Sequence, residues 1–307
     1  MPLSECPTLE ELLLYVYGAP DENSIGGDIE FITPDSGATF VAYNPINQNQ
    51  LIYYYSGYFT NYKSNLVTYD LITGVFSSIL VDPKLFSYPE ISSNGWLLLT
   101  LSDSQIWKVK IDGDSLTKLT TGGLNANFTW SPNAESFIYS TTSLSGIYRA
   151  LLADKNGNTI YTFPEDLIIK KPSWSSDGKL IAYVKENSMD INIQHTETWE
   201  TESIVHVSGE YDIIEAILDI EFYPDSKHIL WSTQTELRRT DITTGQTEIL
   251  SSTCDSKSFS IFDISFDGSS ILTKRIFYEM YDENNVILSS KFFTCDAEGN
   301  IQSEILF

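Results

Sequence analysis

Pro172–Val184 reads PSWSSDGKLIAYV, and this stretch decides the fold. Pro172 cannot donate to a strand ladder and suits a strand start. Trp174 is a large apolar anchor. Ser175-Ser176-Asp177-Gly178 is turn chemistry, in which an Asp side chain accepts nearby backbone N–H groups and Gly takes positive φ without a Cβ penalty. Leu180 to Val184 is an unbroken, mostly apolar run, the pattern of a strand buried on both faces. The stretch is thus a strand, a tight turn and a second strand.

The same phrase recurs as Pro89–Leu99 (PEISSNGWLLL), Phe128–Tyr139 (FTWSPNAESFIY), Ile220–Trp231 (IEFYPDSKHILW) and Phe262–Leu272 (FDISFDGSSIL), with a looser copy at Val41–Tyr55 (VAYNPINQNQLIYYY). Aligned on Trp174, the anchors are Tyr43, Ile91, Trp130, Trp174, Phe222 and Ile264, spaced by 48, 39, 44, 48 and 42 residues. A second marker runs in phase: Asp70-x3-Gly74, Asp112-Gly113, Asp154-x2-Gly157, Asp241-x3-Gly245 and Asp296-x2-Gly299. The fourth unit has His195-Thr-Glu-Thr-Trp199 at this place. Each unit therefore reads strand a, turn, strand b, loop, strand c, turn, strand d. The units run 38–82, 83–122, 123–164, 165–208, 209–252 and 253–307. Strand repeats of this length cannot bury their faces alone and close into a ring. The fold class is all-β, a six-bladed β-propeller of four-stranded antiparallel blades, with seven blades the alternative if the N-terminal segment builds a partial one.

Residues 1–37 stand apart. Thr8-x-x-Glu11 is a capping box, Leu9, Leu12, Leu13 and Val16 share one helical face, and Gly18 suits the residue after a helix. A short amphipathic helix is expected there, packed on the ring, with a strand through LLLYVYG as the runner-up. Asp28–Thr33 is expected to be a strand that fastens the ring. Residues 38–307 form the single propeller domain.

WSPN, WSSDGKLIAY, FYPDSKHILW and ISFDGSSIL resemble the WD-repeat-like units of TolB-type β-propellers over about 38–307. The resemblance implies the fold. Propellers of this type serve as periplasmic partner proteins, as gating domains of prolyl-oligopeptidase-like peptidases, and as surface proteins. It carries no catalytic motif onto this chain.

Composition narrows the function. The net charge is −24 over 307 residues, which repels phosphate backbones and anionic lipid surfaces. A basic or polar partner, a protein or else a small ligand or glycan, suits that charge. The seventeen glycines include no GxSxG, no P-loop and no GxGxxG spacing, and there is no HExxH. The three cysteines, Cys6, Cys254 and Cys295, form no CxxC pair. The histidines, His195, His206 and His228, are dispersed. No metal, cofactor or catalytic residue is expected. No apolar run reaches the roughly 18 residues that span a bilayer, and no signal-peptide pattern opens the chain. A monomer is expected, cytoplasmic, or periplasmic or extracellular if a leader was removed.

The sequence reading points to a non-catalytic scaffold, with a carbohydrate-active or peptidase-associated propeller as the alternative. The a–b and c–d turns share one face of the ring and are compact. The b–c and d–a connections share the other: Ser56–Ser64, Asp82–Ser87, Phe163–Lys171, His206–Ile217, Ser251–Phe259 and Phe277–Asn285. Variable loops on a rigid frame are where binding concentrates. Tyr58, Phe59 and Tyr62 of unit 1, with Phe277, Tyr278 and Tyr281 of unit 6, are the candidate binding residues, because ring closure makes those units neighbours. The charge makes one prediction directly. Duplex DNA and anionic vesicles are expected not to bind at physiological salt, and a salt-sensitive micromolar complex by fluorescence anisotropy would contradict it.

Overall fold

The computed structural model describes residues 38–305 apart from 48, 56–64, 82, 84, 86–88, 144, 165–168, 186–189, 206–216, 234–235, 253–255, 266 and 283–284. The helix expected at Thr8–Gly18 and the strand expected at Asp28–Thr33 lie outside the described residues, as do Tyr58, Phe59 and Tyr62.

Six four-stranded antiparallel sheets follow one another along the chain. Blade 1 is β1 (Ala38–Tyr43), β2 (Gln50–Tyr55), β3 (Asn65–Asp70) and β4 (Phe76–Val81). Blade 2 is β5 (Glu90–Ile91), β6 (Trp96–Thr100), β7 (Ile106–Lys110) and β8 (Thr117–Lys118). Blade 3 is β9 (Leu124–Trp130), β10 (Ser136–Thr142), β11 (Tyr148–Asp154) and β12 (Thr159–Thr162). Blade 4 is β13 (Ile169–Trp174), β14 (Leu180–Lys185), β15 (Ile191–His195) and β16 (Thr201–Val205). Blade 5 is β17 (Asp219–Phe222), β18 (His228–Ser232), β19 (Glu236–Asp241) and β20 (Thr247–Ser252). Blade 6 is β21 (Ser256–Ile264), β22 (Ser270–Asp282), β23 (Asn285–Asp296) and β24 (Ile301–Ile305). The molecule is a six-bladed propeller, and each blade is complete from four successive strands.

The anchor alignment has a direct structural meaning. Tyr43, Ile91, Trp130, Trp174, Phe222 and Ile264 are each the last residue of their blade's first strand. Packing explains the recurrence. Six apolar cores are shared by six pairs of neighbouring blades. Phe40, Ile52 and Leu66 of blade 1 meet Leu97, Leu99 and Val109 of blade 2. Leu98 and Ile106 meet Trp130 and Phe137, and Ile138 and Leu152 meet Ile181 and Tyr183. Ala182, Ile191 and Ile193 meet Phe222, Ile229 and Trp231, and Tyr223, Leu230 and Leu237 meet Ile264, Ile271 and Cys295. Leu272 of blade 6 meets Val41, Leu51 and Tyr53 of blade 1 and closes the circle. The second strands are buried on both faces, as the uninterrupted run in PSWSSDGKLIAYV requires: Ile181, Ala182, Tyr183 and Val184 are all buried.

A local hydrogen-bond device builds the a–b turns. In four blades a Ser follows the anchor, and its Oγ donates to the Oδ1 of an Asn or Asp two residues on: Ser92 to Asn94, Ser131 to Asn133, Ser175 to Asp177 and Ser265 to Asp267. The same Oγ accepts the N–H that opens the next strand, from Trp96, Ser136, Leu180 and Ser270. The device turns the chain without tertiary help, so the phrase is legible in sequence.

Without an Asp/Gly pair, the fourth unit makes the same turn as blades 1 and 5. Trp199 N–H donates to His195 O at 2.9 Å, as Gly74 does to Asp70 and Gly245 to Asp241. Trp199 adopts φ +60° to do so, which costs a non-glycine residue about 1–2 kcal/mol. Its indole stacks on Tyr161 at 4.2 Å and meets Phe163 edge-on at 5.5 Å, across the blade boundary. Such ring pairs contribute about 0.5–1.5 kcal/mol each beyond area burial, which offsets the strain.

Three expectations need correction. Phe277–Asn285 is not a loop: β22 runs to Asp282 and β23 starts at Asn285, with Tyr278 opposite Leu288 and Met280 opposite Val286. Aromatic and branched residues favour paired strands. Ser251–Phe259 is likewise mostly strand, with β20 ending at Ser252 and β21 starting at Ser256. Trp174 is only partly buried, at the edge of the core between blades 3 and 4, because the strand ends there. Trp231 is the fully buried indole, 1% exposed, with its N–H donating to Thr240 Oγ1 at 2.9 Å. Cys295 is buried.

Trp231→Ala is expected to destabilise the fold by about 3–5 kcal/mol in urea melts. At Trp199 the usual order of substitutions should reverse. Trp199→Gly is expected to cost about 1 kcal/mol less than Trp199→Ala, because glycine relieves the positive φ while both lose the stack. The opposite order would show that the turn is unstrained.

Candidate functional site

Side chains alternate along a strand, so an anchor that faces an inter-blade core sends the preceding residue to the other side. The residues before the six anchors are Ala42, Glu90, Thr129, Ser173, Glu221 and Asp263. The first strands are the innermost of each blade, and this second row faces the following blade: Ala42 packs in the core between blades 1 and 2, while Glu90, Glu221 and Asp263 stay half-buried with their charges in reach of one another. On β17 the alternation is complete: Asp219 and Glu221 are half-buried, while Ile220 and Phe222 are buried at 3% and 4% exposure.

Two of these polar residues tie neighbouring blades together. Ser173 Oγ accepts the N–H of Phe222 from blade 5 at 2.9 Å. Asp263 makes the equivalent bond at the closure of the ring, where its Oδ2 accepts the N–H of Tyr43 from blade 1 at 2.8 Å. Its Oδ1 accepts the N–H of Ile264 at 2.8 Å, and the Tyr43 hydroxyl pairs with Ser270 Oγ at 2.8 Å.

Three more carboxylates crowd Asp263. Glu90, Asp219, Glu221 and Asp263 come from blades 2, 5 and 6 and face one shared space. Lys171 enters from a bulge in β13 with φ +50° and reaches Asp219 Oδ1 at 3.4 Å. Bulges commonly re-aim a side chain in this way. Loss of hydration pushes the Glu90 carboxyl up to about 8, aided by the Asp263 and Asp219 charges. Loss of hydration likewise pushes Glu221 well above the usual carboxylate range, with Glu90, Asp263 and Asp219 adding repulsion. Asp219 is raised by burial against the pull of Lys171. Asp263 is raised by burial to about 7, against its two backbone donors. The cluster stays accessible to solvent, since all four residues are half-buried rather than sealed. Among the described residues no three His, Cys or carboxylate side chains are grouped to hold a metal ion.

At the compact-turn end of the first strands lies a cleft of about 480 Å³ lined by Tyr43, Ile91, Asp263, Ser265 and Asp267, among others. Three blades contribute to it, and Asp263 links it to the other carboxylates. Of the aromatic candidates, Phe277, Tyr278 and Tyr281 lie on β22. Tyr58, Phe59 and Tyr62 lie outside the described residues. Sequence reading missed the clustered carboxylates. The signal was present one residue before each anchor, as Glu90, Glu221 and Asp263, but it becomes a cluster only when the ring closes.

These groups predict how stability varies with pH. Ordinary carboxylates in an unfolded chain release their protons near pH 4. Folded, Glu90 and Asp263 hold theirs until about 8 and 7. Their contribution is therefore complete below about pH 4 and is lost as pH rises through 7 and 8. The turn carboxylates act in the opposite sense. Hydrogen bonds from Ser269 hold Asp267 down to about 2, and N–H donors from Thr244 lower Asp241. Stability from these is lost as pH falls below about 4. Thermal melts are expected to peak between about pH 4 and 6 and to decline toward pH 8.5. In Glu90→Gln the alkaline decline should flatten, and an unchanged slope would remove the cluster from this account.

No protein-family model matches the chain, and no curated protein sequence does. Solved structures share its fold. TolB of Agrobacterium tumefaciens is 18% identical with a TM-score of 0.61, covering 76% of this chain and 85% of that one. A propeller in a nidogen–laminin complex is 10% identical with a TM-score of 0.53, covering 70% and 79%. An oligogalacturonate lyase solved with manganese is 13% identical with a TM-score of 0.55, covering 83% and 77%. At these identities the likeness is one of architecture. The fold is that of a TolB-type six-bladed β-propeller.

Proposed function

We propose that this protein is a non-catalytic propeller scaffold that receives a basic segment of a partner protein at the cleft on its compact-turn face. The observation that carries this reading is the cleft of about 480 Å³ with Asp263 in its wall, whose charge reaches Glu90 and Glu221, themselves in the field of Asp219. A guest Lys or Arg side chain offers these groups the counter-charge that their own protein supplies only in part. The net charge of −24 adds long-range steering of a cationic partner. A neighbour of the same fold in a nidogen–laminin complex is consistent with a propeller acting through protein contacts.

The reading has a thermodynamic signature. A cation in the cleft favours the ionised carboxylates, so binding releases protons and tightens as pH rises through 7 to 8. Calorimetry with a short lysine-bearing peptide is expected to show saturable binding that strengthens from pH 6 to pH 8.5. Glu90→Gln and Glu221→Gln are each expected to weaken it several-fold, while an isosteric norleucine peptide should not bind. Equal binding of both peptides, or indifference to both substitutions, would sink the proposal. Capture from source lysate with mass spectrometry would then name the partner.

A specific observation also favours a second reading, as a carbohydrate-active enzyme. Carboxyls near pH 7 and 8, such as Asp263 and Glu90, are poised for general acid–base chemistry. One structural neighbour is a lyase. Turnover of an oligouronate or glycoside reporter, abolished by Glu90→Gln, would promote this reading over the first.

A further inference from the structure

The outer strand of blade 2, β8, is two residues long, whereas the outer strands of the other blades run four to six. Beside it, at the junction with blade 3, lies a cleft of about 620 Å³ that shares no lining residue with the one at Asp263. One wall is a face of blade 3, formed by Asn125 on β9, Tyr139 and Thr141 on β10, and Arg149 and Leu151 on β11. Strand register sets their arrangement. Thr141 lies directly opposite Asn125 on one side and Arg149 on the other, and Tyr139 lies opposite Leu151. Side chains paired in this way share a face, with Cβ atoms about 4.5–5.5 Å apart. Tyr139 joins the same face two residues before Thr141. Thr141 is thus ringed by Asn125, Arg149 and Tyr139.

Three polar groups on this wall have no partner among the described residues. The Tyr139 ring packs in the core between blades 2 and 3, 5.5 Å from Phe137, and the residue is 6% exposed. Its hydroxyl makes no hydrogen bond, and burial alone acts on it. Asn125 is 2% exposed, and its Nδ2 donates to the carbonyls of Ser104 at 2.9 Å and Gly122 at 3.2 Å. Carbonyls only accept, so the amide orientation is fixed and Oδ1 is left without a donor. The Thr141 hydroxyl is the third. Unlike the Trp130 indole, none of the three is sealed from solvent. Buried polar groups are as a rule hydrogen-bonded, so each is an opening for a ligand atom. A glycine makes the space over Thr141: a Cβ at Gly123 would stand 2.5 Å from Thr141 Oγ1 and fill it. Gln105 Nε2 donates to the Gly123 carbonyl at 3.1 Å and fixes this rim.

The chemistry of the lining selects a ligand. In a chain of net charge −24, no carboxylate is among the described residues that line this cleft, and the single charged group, Arg149, is already engaged. An ion of either sign finds no counter-charge to spare. The rest is hydroxyl and amide, with apolar patches from Leu119, Ile147 and Leu151. We propose that the cleft between blades 2 and 3 is a binding site for a neutral saccharide of one or two rings, its hydroxyls held by Tyr139, Thr141 and Asn125. A sugar hydroxyl both donates and accepts, so it meets the Asn125 oxygen as a donor and the Tyr139 hydroxyl as an acceptor. The C–H faces of the ring pack on Leu151 and on Ile147, which is otherwise exposed. The volume corresponds to roughly twenty water-sized groups at about 30 Å³ each, the bulk of a disaccharide.

The test titrates maltose, cellobiose, lactose and N,N′-diacetylchitobiose separately into ¹⁵N-labelled protein and follows the Gly122 and Gly123 amide signals by two-dimensional NMR. A saturable shift is expected with at least one of them, and which one saturates reports the preferred ring stereochemistry. Tyr139→Phe keeps the packed ring and loses only the unpartnered hydroxyl. It is expected to leave the thermal midpoint unchanged or higher while weakening that binding at least fivefold, as the loss of one hydrogen bond implies. A hydroxyl with a purely structural role would instead lower the midpoint and spare the binding. Thr141→Val, at a half-buried position, should weaken binding several-fold and is the second variant if Tyr139→Phe does not fold. Shifts that grow linearly with all four sugars, no shift with any, or unchanged affinity in the folded variants would overturn the proposal.

Discussion

A four-stranded blade has two broad faces and no means of covering either. The covering surface comes from the next blade, and the requirement passes around the ring until Leu272 packs on Val41, Leu51 and Tyr53. Hydrophobic burial here is therefore a property of pairs, with six cores for six junctions. A chain held this way cannot lose one junction without opening the circle. That is why the closure carries added polar bonds, from Asp263 to the Tyr43 N–H and between Tyr43 and Ser270.

The same constraint creates the carboxylate cluster and its cost. First strands that pack one row of side chains on the preceding blade must turn the alternate row toward the following one, as Ala42, Ser173 and Asp263 show. Three blades place Glu90, Glu221 and Asp263 in that row, with Asp219 two residues before Glu221. Carboxylates gathered in a narrow, partly desolvated space repel one another and resist ionisation. Asp263 offsets this with two backbone donors, and Asp219 with Lys171. Glu90 has no such bond among its influences, only the distant pull of Lys171, and its carboxyl is pushed to about 8. Groups in this condition favour a cationic guest, which connects the mechanics of ring closure to the proposed binding role.

Charge is not spread evenly over this acidic protein. Carboxylates gather at Glu90, Asp219, Glu221 and Asp263, whereas Lys108 and Lys155 line a concavity at the junction of blades 2 and 3. Both features sit on the compact-turn side of the ring, built from turns that looked too regular to carry function. Regular turns can do so because the a–b device fixes their backbones through Ser and Asx side chains, leaving the flanking strand ends to vary.

By itself the sequence determined what is local. The Ser-x-Asx turns, the aligned strand ends from Tyr43 to Ile264 and the apolar second strands each follow from short-range hydrogen bonding and periodicity, so blade number and strand order were readable. It was less decisive at 277–282, where FYEMYD lacks strand alternation, and pairing with 285–289 settles it as strand. The tertiary structure alone decided which residues meet across the ring. Glu90 and Asp263 are separated by most of the chain, and only closure brings their charges together. Trp199 in a glycine's place made sense only once Tyr161 and Phe163 of the neighbouring blade were seen against it. Long-range proximity leaves no periodic trace in a single sequence, because its cause is the packing of one blade on the next.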